Sequence, residues 1–137
     1  MTRILLLLTA GLFAVDLVHP APQRTRPEPV VVQDWAGIYR LHGILSDGKS
    51  YVGTATIAPS TSGLYAFDTL SGGGHCTGIA QTHEGALVAA WAQDGKIVGL
   101  SVLRKKDGAI TNHWISRPGT GTVNRETLVY LGKVRDE

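Results

Sequence analysis

The stretch "WAQDGKIVGLSVLRKKDGAITNHW", residues 91–114, decides the fold. It contains two Asp-Gly pairs, at 94–95 and 107–108, and each pair is flanked by segments rich in apolar and β-branched residues. Asp-Gly is a strong hairpin signal because both residues tolerate a positive φ. The stretch therefore predicts three consecutive antiparallel strands that are joined by two tight turns.

Turn signals of this kind recur at short intervals along the chain. They are SDGK at 46–49, PSTSG at 59–63, SGGG at 71–74, HEG at 83–85, QDGK at 93–96, KKDG at 105–108 and RPGTG at 117–121. They separate eight segments, which are Trp35–Leu45, Ser50–Ala58, Leu64–Leu70, His75–Thr82, Ala86–Ala92, Ile97–Arg104, Ala109–Ser116 and Val123–Leu131. Short, evenly spaced segments without a helical period are typical of an all-β fold.

Three arguments predict that these segments form an eight-stranded antiparallel up-and-down barrel. The connections are short, so sequential strands should pair as neighbours. Closure removes the exposed edges of the sheet. Cys76 is the only cysteine, so no internal disulfide can form and stability must come from packing and backbone pairing.

The N-terminal residues predict export. Residues 1–18 begin with one basic residue, Arg3, and continue with an apolar run that ends at Asp16, as in a secretory signal. The run is too short for a stable membrane span. Residues 19–33 contain four of the six prolines and are predicted to form an extended linker, which leaves residues 34–137 for the barrel. We expect a secreted or periplasmic protein.

The segment "SGGGHCTG", residues 71–78, is interpreted as a hairpin turn rather than an active site. A phosphate cradle would lead into a helix, whereas this segment leads into a strand. His75 and Cys76 are adjacent on that strand, so they should point to opposite faces and not pair. No metal-ligand spacing joins the histidines, and we predict no catalytic residue, no metal and no cofactor.

The formal net charge is +2, and acids and bases alternate along the chain without a basic stripe. This distribution gives no basis for nucleic-acid binding. Two kinds of partner are expected instead, a small-molecule ligand or a protein.

Alternation assigns some side chains to faces. Ile110, Asn112 and Trp114 share one face of their strand, and so do Glu126, Leu128 and Tyr130 of the last strand. If the second face is internal, Glu126 is a buried acid that needs a partner such as Asn112. We expect Glu126 to be exposed.

Three stretches resemble the avidin family of exported β-barrels, and lipocalin-like barrels share some of the same features. They are "ITNHWISRPGTGTVNRETLV" from Ile110, "LVAAW" ending at Trp91, and "DGKSYVGTA" from Asp47. The resemblance implies that Trp91 and Trp114 line the barrel interior, and that sheets of two barrels could pack into a homo-oligomer. It does not imply tight biotin binding, because Gly37 and Gly132 stand where the family has an Asn and an Asp.

We therefore expect an exported, non-enzymatic binding protein that holds a small, mostly apolar ligand at one end of the barrel. The ligand-binding residues would be Trp91, Trp114 and Tyr39, with Asn112 as a polar anchor. The alternative is an exported protein-interaction module, of the inhibitor or adhesion type, with a filled core.

Overall fold

The computed structural model describes residues 34–119 and 121–135. These residues form eight strands and a single 3-10 turn, Thr61–Gly63. The strands are β1 Gly37–Ile44, β2 Ser50–Pro59, β3 Tyr65–Ser71, β4 Gly74–His83, β5 Ala86–Gln93, β6 Ile97–Lys106, β7 Ala109–Arg117 and β8 Asn124–Gly132. The predictions for residues 1–18, a signal segment, and 19–33, a linker, lie outside the described residues.

The strands form a closed barrel in sequence order, from β1 to β8. Every neighbouring pair is antiparallel, and β8 pairs back onto β1 with Leu128 opposite Leu41. The predicted eight-stranded up-and-down barrel is confirmed. Among the described residues, no helix is long and apolar enough to cross a membrane.

The Asp-Gly turns have the backbone that tight hairpins require. Asp94 and Gly95 have φ of 50° and 63°, and Asp107 and Gly108 have φ of 52° and 79°. Two consecutive positive φ values define a type I′ turn, whose twist matches that of the flanking strands. The interpretation of "SGGG" as a turn is also confirmed, because β3 ends at Ser71 and β4 begins at Gly74.

The barrel has two ends, which we name by the residues found there. The Trp35 end is the end at which β1, β3, β5 and β7 begin, and the Gly73 end is the end at which they finish. Trp35 precedes β1, is fully buried, and has the Nζ of Lys105 4.9 Å above its ring. This indole closes its end of the barrel.

Apolar side chains fill the interior between Trp35 and the middle of the barrel. The buried residues there include Leu41, Ile57, Phe67, Ala80, Leu87, Leu103, Ile110 and Leu128. An eight-stranded barrel is just wide enough for side chains to fill its interior or to leave room for one small ligand. In this barrel, side chains fill the half at the Trp35 end, whereas the half at the Gly73 end keeps an open space.

Candidate functional site

A cavity of about 330 Å³ lies inside the barrel and opens at the Gly73 end. Its rim is formed by the turn residues 45–49 and 71–73, and deeper residues form its walls and floor. We call it the aromatic cavity, and its characteristic lining residues are Tyr51, Phe67, Trp91, Asn112, Trp114 and Glu126. This volume lies at the lower end of the range for small-molecule sites.

Inward-facing glycines make room for two of the aromatic rings. Trp91 lies opposite Gly99, and a Cβ built on Gly99 would be 2.1 Å from the Trp91 ring. Tyr51 lies opposite Gly43 in the same relation, at 2.0 Å. Because each ring covers the glycine of the neighbouring strand, the ring lies against the sheet and leaves the centre of the barrel open.

The two tryptophans of the cavity contact each other and are fixed by hydrogen bonds. The rings of Trp91 and Trp114 meet edge to face, with centroids 5.7 Å apart. Trp91 Nε1 donates to Ser101 Oγ at 3.0 Å, and Trp114 Nε1 donates to Tyr51 Oη at 3.1 Å. Each indole N–H therefore has a protein partner, and the rings form a rigid wall.

Glu126 lies at the floor of the cavity, and the prediction that it is exposed is wrong. Only 8% of the residue is exposed. The Tyr51 hydroxyl donates to Oε1 at 2.5 Å, and Asn112 Nδ2 donates to Oε2 at 2.7 Å. Asn112 is also the residue opposite Glu126 across the β7–β8 pair. Glu126 and Leu128 lie on the inner face of β8. The acid is therefore internal, and Asn112 is the partner that the sequence suggested for a buried Glu126.

Burial raises the pKa of the Glu126 carboxyl, and the hydrogen bonds from Tyr51 and Asn112 partly oppose this effect. Burial also raises the pKa of the Tyr51 hydroxyl, with a further contribution from the negative charge of Glu126. Tyr51 therefore keeps its proton at neutral pH and acts as the donor in this pair.

The rim of the cavity is polar. Gln93 Nε2 donates to the carbonyl oxygen of Gly73 at 2.5 Å and so joins β5 to the 72–73 turn. Lys49 Nζ lies 3.1 Å from Asp47 Oδ2 in an exposed ion pair. A ligand would pass these groups before it reaches the rings.

His75 and Cys76 lie on opposite faces of β4, as alternation predicts. His75 Nε2 is 2.7 Å from Asp68 Oδ2 on the outer surface. Cys76 borders the cavity, where Sγ is 3.7 Å from Gln93 Oε1, and burial raises the pKa of its thiol. No group of three His, Cys, Asp or Glu side chains suited to a metal occurs among the described residues.

The structure brings together three of the four residues predicted to bind a ligand. Trp91, Trp114 and Asn112 all line the aromatic cavity. Tyr39 instead lines a separate depression at the Trp35 end, where its hydroxyl donates to the Trp35 carbonyl oxygen at 2.7 Å. Burial, with a smaller contribution from Asp34, raises the pKa of Tyr39 to about 12. Tyr39 is thus part of the closed end and not of the cavity.

Sequence reasoning missed Tyr51, Phe67 and Ser101. Alternation along "SYVGTATI" could have placed Tyr51 on the inner face, because Gly53, Ala55 and Ile57 follow it at every second position. Ser101 gave no such signal, since a serine within a strand is equally typical of an outer face.

The outer surface of strands β4 to β7 carries an apolar groove. Ile79, Val98, Leu100 and Ile115 line it and are all at least 40% exposed. These residues explain why alternation along this part of the chain is blurred, because apolar side chains occur on both faces.

No family model matches the chain, and no curated protein matches it. The solved structures with a similar fold include two designed barrels. A de novo designed fluorescence-activating β-barrel is 16% identical, with a TM-score of 0.56, over 71% of this chain and 94% of the other. The redesigned β-barrel mFAP1, bound to DFHBI, is 13% identical, with a TM-score of 0.55, over 70% of this chain and 94% of the other. At such identities the likeness shows a shared fold.

Proposed function

We propose that this protein is a non-enzymatic binding protein that holds one compact, mostly apolar ligand in the aromatic cavity. The observation that carries the proposal is the division of the interior. Trp35 and the apolar core fill one half, whereas about 330 Å³ at the Gly73 end is left open and is lined by Trp91 and Trp114 among others. A protein that needed only a stable barrel would have no use for this space, because filling it would add stability.

The similar solved structures support the proposal that a barrel of this fold can hold a small molecule. The redesigned barrel mFAP1 was solved with DFHBI bound. An eight-stranded barrel of this size can therefore hold a small molecule, although which one this chain binds must follow from its own side chains.

The alternative, a protein-interaction module with a filled core, receives less support. That function needs no internal space, whereas this barrel has a cavity with a polar rim and a buried polar floor. Export, the secreted or periplasmic location and kinship with avidin-like barrels remain proposals that rest on the sequence.

Binding of neutral aromatic probes tests the proposal. We expect indole and indole-3-ethanol to bind the purified protein and to perturb the amide NMR signals of β5 and β7. Thr69 is half-buried and borders the cavity, so Thr69→Phe should fill the space and abolish the perturbation. Thr54 is exposed on the neighbouring strand β2, and Thr54→Phe adds the same bulk outside the barrel.

The comparison of Thr69→Phe with Thr54→Phe shows whether binding is lost because the cavity is filled. Both variants are first shown to unfold cooperatively with heat, so that lost binding is not lost folding. Equal binding by wild type and Thr69→Phe would place the probes elsewhere and would refute a ligand site in the cavity.

A further inference from the structure

Glu126 places an acid at the floor of the aromatic cavity without a basic partner. Its two oxygens accept hydrogen bonds from neutral groups, the Tyr51 hydroxyl and the Asn112 amide. Among residues 34–119 and 121–135, the ion pairs are Lys49–Asp47 and His75–Asp68, and neither involves Glu126. A carboxylate removed from water is costly unless a cation compensates it.

Three donors of the polar cluster are connected to this carboxyl, either directly or through Tyr51. Trp114 donates to Tyr51, and Tyr51 donates to Glu126. Asn112 Nδ2 donates to Glu126 and, at 3.3 Å, to Ser101 Oγ. These donors are engaged, whereas a carboxylate has about four acceptor positions and uses two here. The floor therefore offers acceptors to a ligand.

A second acceptor in the cluster lacks a partner. The Oδ1 atom of Asn112 is buried and makes no hydrogen bond within the described chain. The Nδ2 atom of the same amide faces the Glu126 carboxyl. Asn112 and Glu126 both line the cavity, and their unpaired acceptors together favour a ligand that brings N–H groups.

The walls and rim are compatible with a positive charge. The rings of Trp91, Trp114 and Tyr51 line the cavity, and aromatic faces attract cations, more strongly when water is excluded. Lys49 at the rim does not supply the missing charge, because its side chain is 80% exposed and pairs with Asp47. The pKa of Asp47 is lowered by hydrogen bonds from Lys49, so this pair stays ionised.

We propose that the ligand of the aromatic cavity is a compact amine, whose protonated nitrogen binds the Glu126 carboxylate while its apolar body lies against Trp91 and Trp114. This inference rests on the proposed function and narrows it to one ligand class. The charge of the amine supplies the cation that the cluster lacks, and its N–H groups meet the free acceptor positions of Glu126.

Three probes of one shape test the ligand class. Tryptamine, indole-3-ethanol and indole-3-acetate share an indole body and differ in charge, and their dissociation constants are measured by NMR titration at neutral pH. We expect tryptamine to bind about tenfold more tightly than the alcohol, as one charge-assisted hydrogen bond provides. The acid should bind most weakly.

Glu126→Gln removes the charge and keeps the shape. In this variant we expect the preference for tryptamine over the alcohol to fall to about one. Tyr51→Phe keeps the carboxylate and frees an acceptor position on Oε1, so the preference should stay at least as large as in wild type. Glu126→Gln should therefore remove the preference for tryptamine over the alcohol, whereas Tyr51→Phe should retain it.

The outcomes separate this inference from the function on which it rests. If wild type binds the alcohol as tightly as tryptamine, and Thr69→Phe abolishes both, the cavity binds ligands but the amine class is wrong. The same conclusion holds if the preference survives in Glu126→Gln or if the acid binds best. If none of the indole probes binds wild type, both proposals fail.

Discussion

Glu126 shows at the scale of one residue why the cavity has a chemical preference. A leucine at this position would accept no hydrogen bond, but the acid gathers Tyr51, Asn112 and, through Tyr51, Trp114 into one connected cluster. Such a cluster holds its members in single orientations because each buried polar group needs its partner.

The pH dependence of the free energy of unfolding should reveal the titration of the Glu126 carboxyl. Its pKa is raised in the folded protein, so the proton is bound more tightly in the folded than in the unfolded chain. The corresponding stabilisation is complete below the ordinary value of 4.5 and is lost as the pH rises through the folded pKa. Relative to Glu126→Gln, wild type should therefore lose free energy of unfolding as the pH rises from 4.5 through the folded pKa of this carboxyl.

Urea unfolding of both proteins across this pH range measures the difference. The titratable groups facing the cavity beside Glu126 are Tyr51, Cys76 and, at the rim, Lys49, and all three are present in both proteins. A wild-type protein that gains stability over the variant as the pH rises would show that a cation already compensates the carboxylate.

At the scale of elements, the turns were predictable and the ends of the barrel were not. Short turns that contain glycine are recognisable in the sequence, and every predicted strand was found with its bounds shifted by no more than two residues. Alternation then gives the face of a side chain but not its height along the barrel. Tyr39 and Trp91 both face inwards, yet they lie at opposite ends, and this depends on the register of all eight strands.

Glu126 escaped prediction for a related reason. Its burial follows from a neighbour on β7 and a tyrosine on β2, neither of which is close to it in sequence. The general preference of acids for the surface gives the opposite answer.

The β5–β6 pair offers a test of how the cavity wall is built. Gly99→Ala would place a methyl group against the Trp91 ring, which is held by Ser101 and Trp114 and cannot move freely. We expect a loss of about 1–3 kcal/mol in the free energy of unfolding, as for overpacked cores, and a changed near-ultraviolet circular dichroism of the tryptophans.

Gly132→Ala is the matched control for this substitution. Gly132 ends β8, and a Cβ there would have no atom within 4 Å. The free energy of unfolding of Gly132→Ala should stay within about 0.5 kcal/mol of the wild-type value. Equal effects at the two glycines would show that Trp91 does not depend on the space above Gly99.

At the scale of the whole molecule, the barrel separates the residues that stabilise it from those that would bind a ligand. Trp35, Leu87, Leu103 and Leu128 form a dense half that needs no ligand, so the other half can keep a cavity and an uncompensated acid. Closure of the sheet through the β1–β8 pair lets both halves share one framework.

Two tryptophan substitutions test this separation. Trp35→Ala removes a fully buried indole and the cation contact of Lys105, so it should lower the free energy of unfolding by about 3–5 kcal/mol. The molecules that remain folded should bind the indole probes with an unchanged dissociation constant, because Trp35 lies at the far end from the cavity. Trp114→Ala, at a half-buried position, should cost less stability and weaken binding at least tenfold. If folded Trp35→Ala binds the probes more weakly than wild type, the two halves are coupled. The shape of the cavity would then depend on the indole that fills the opposite end.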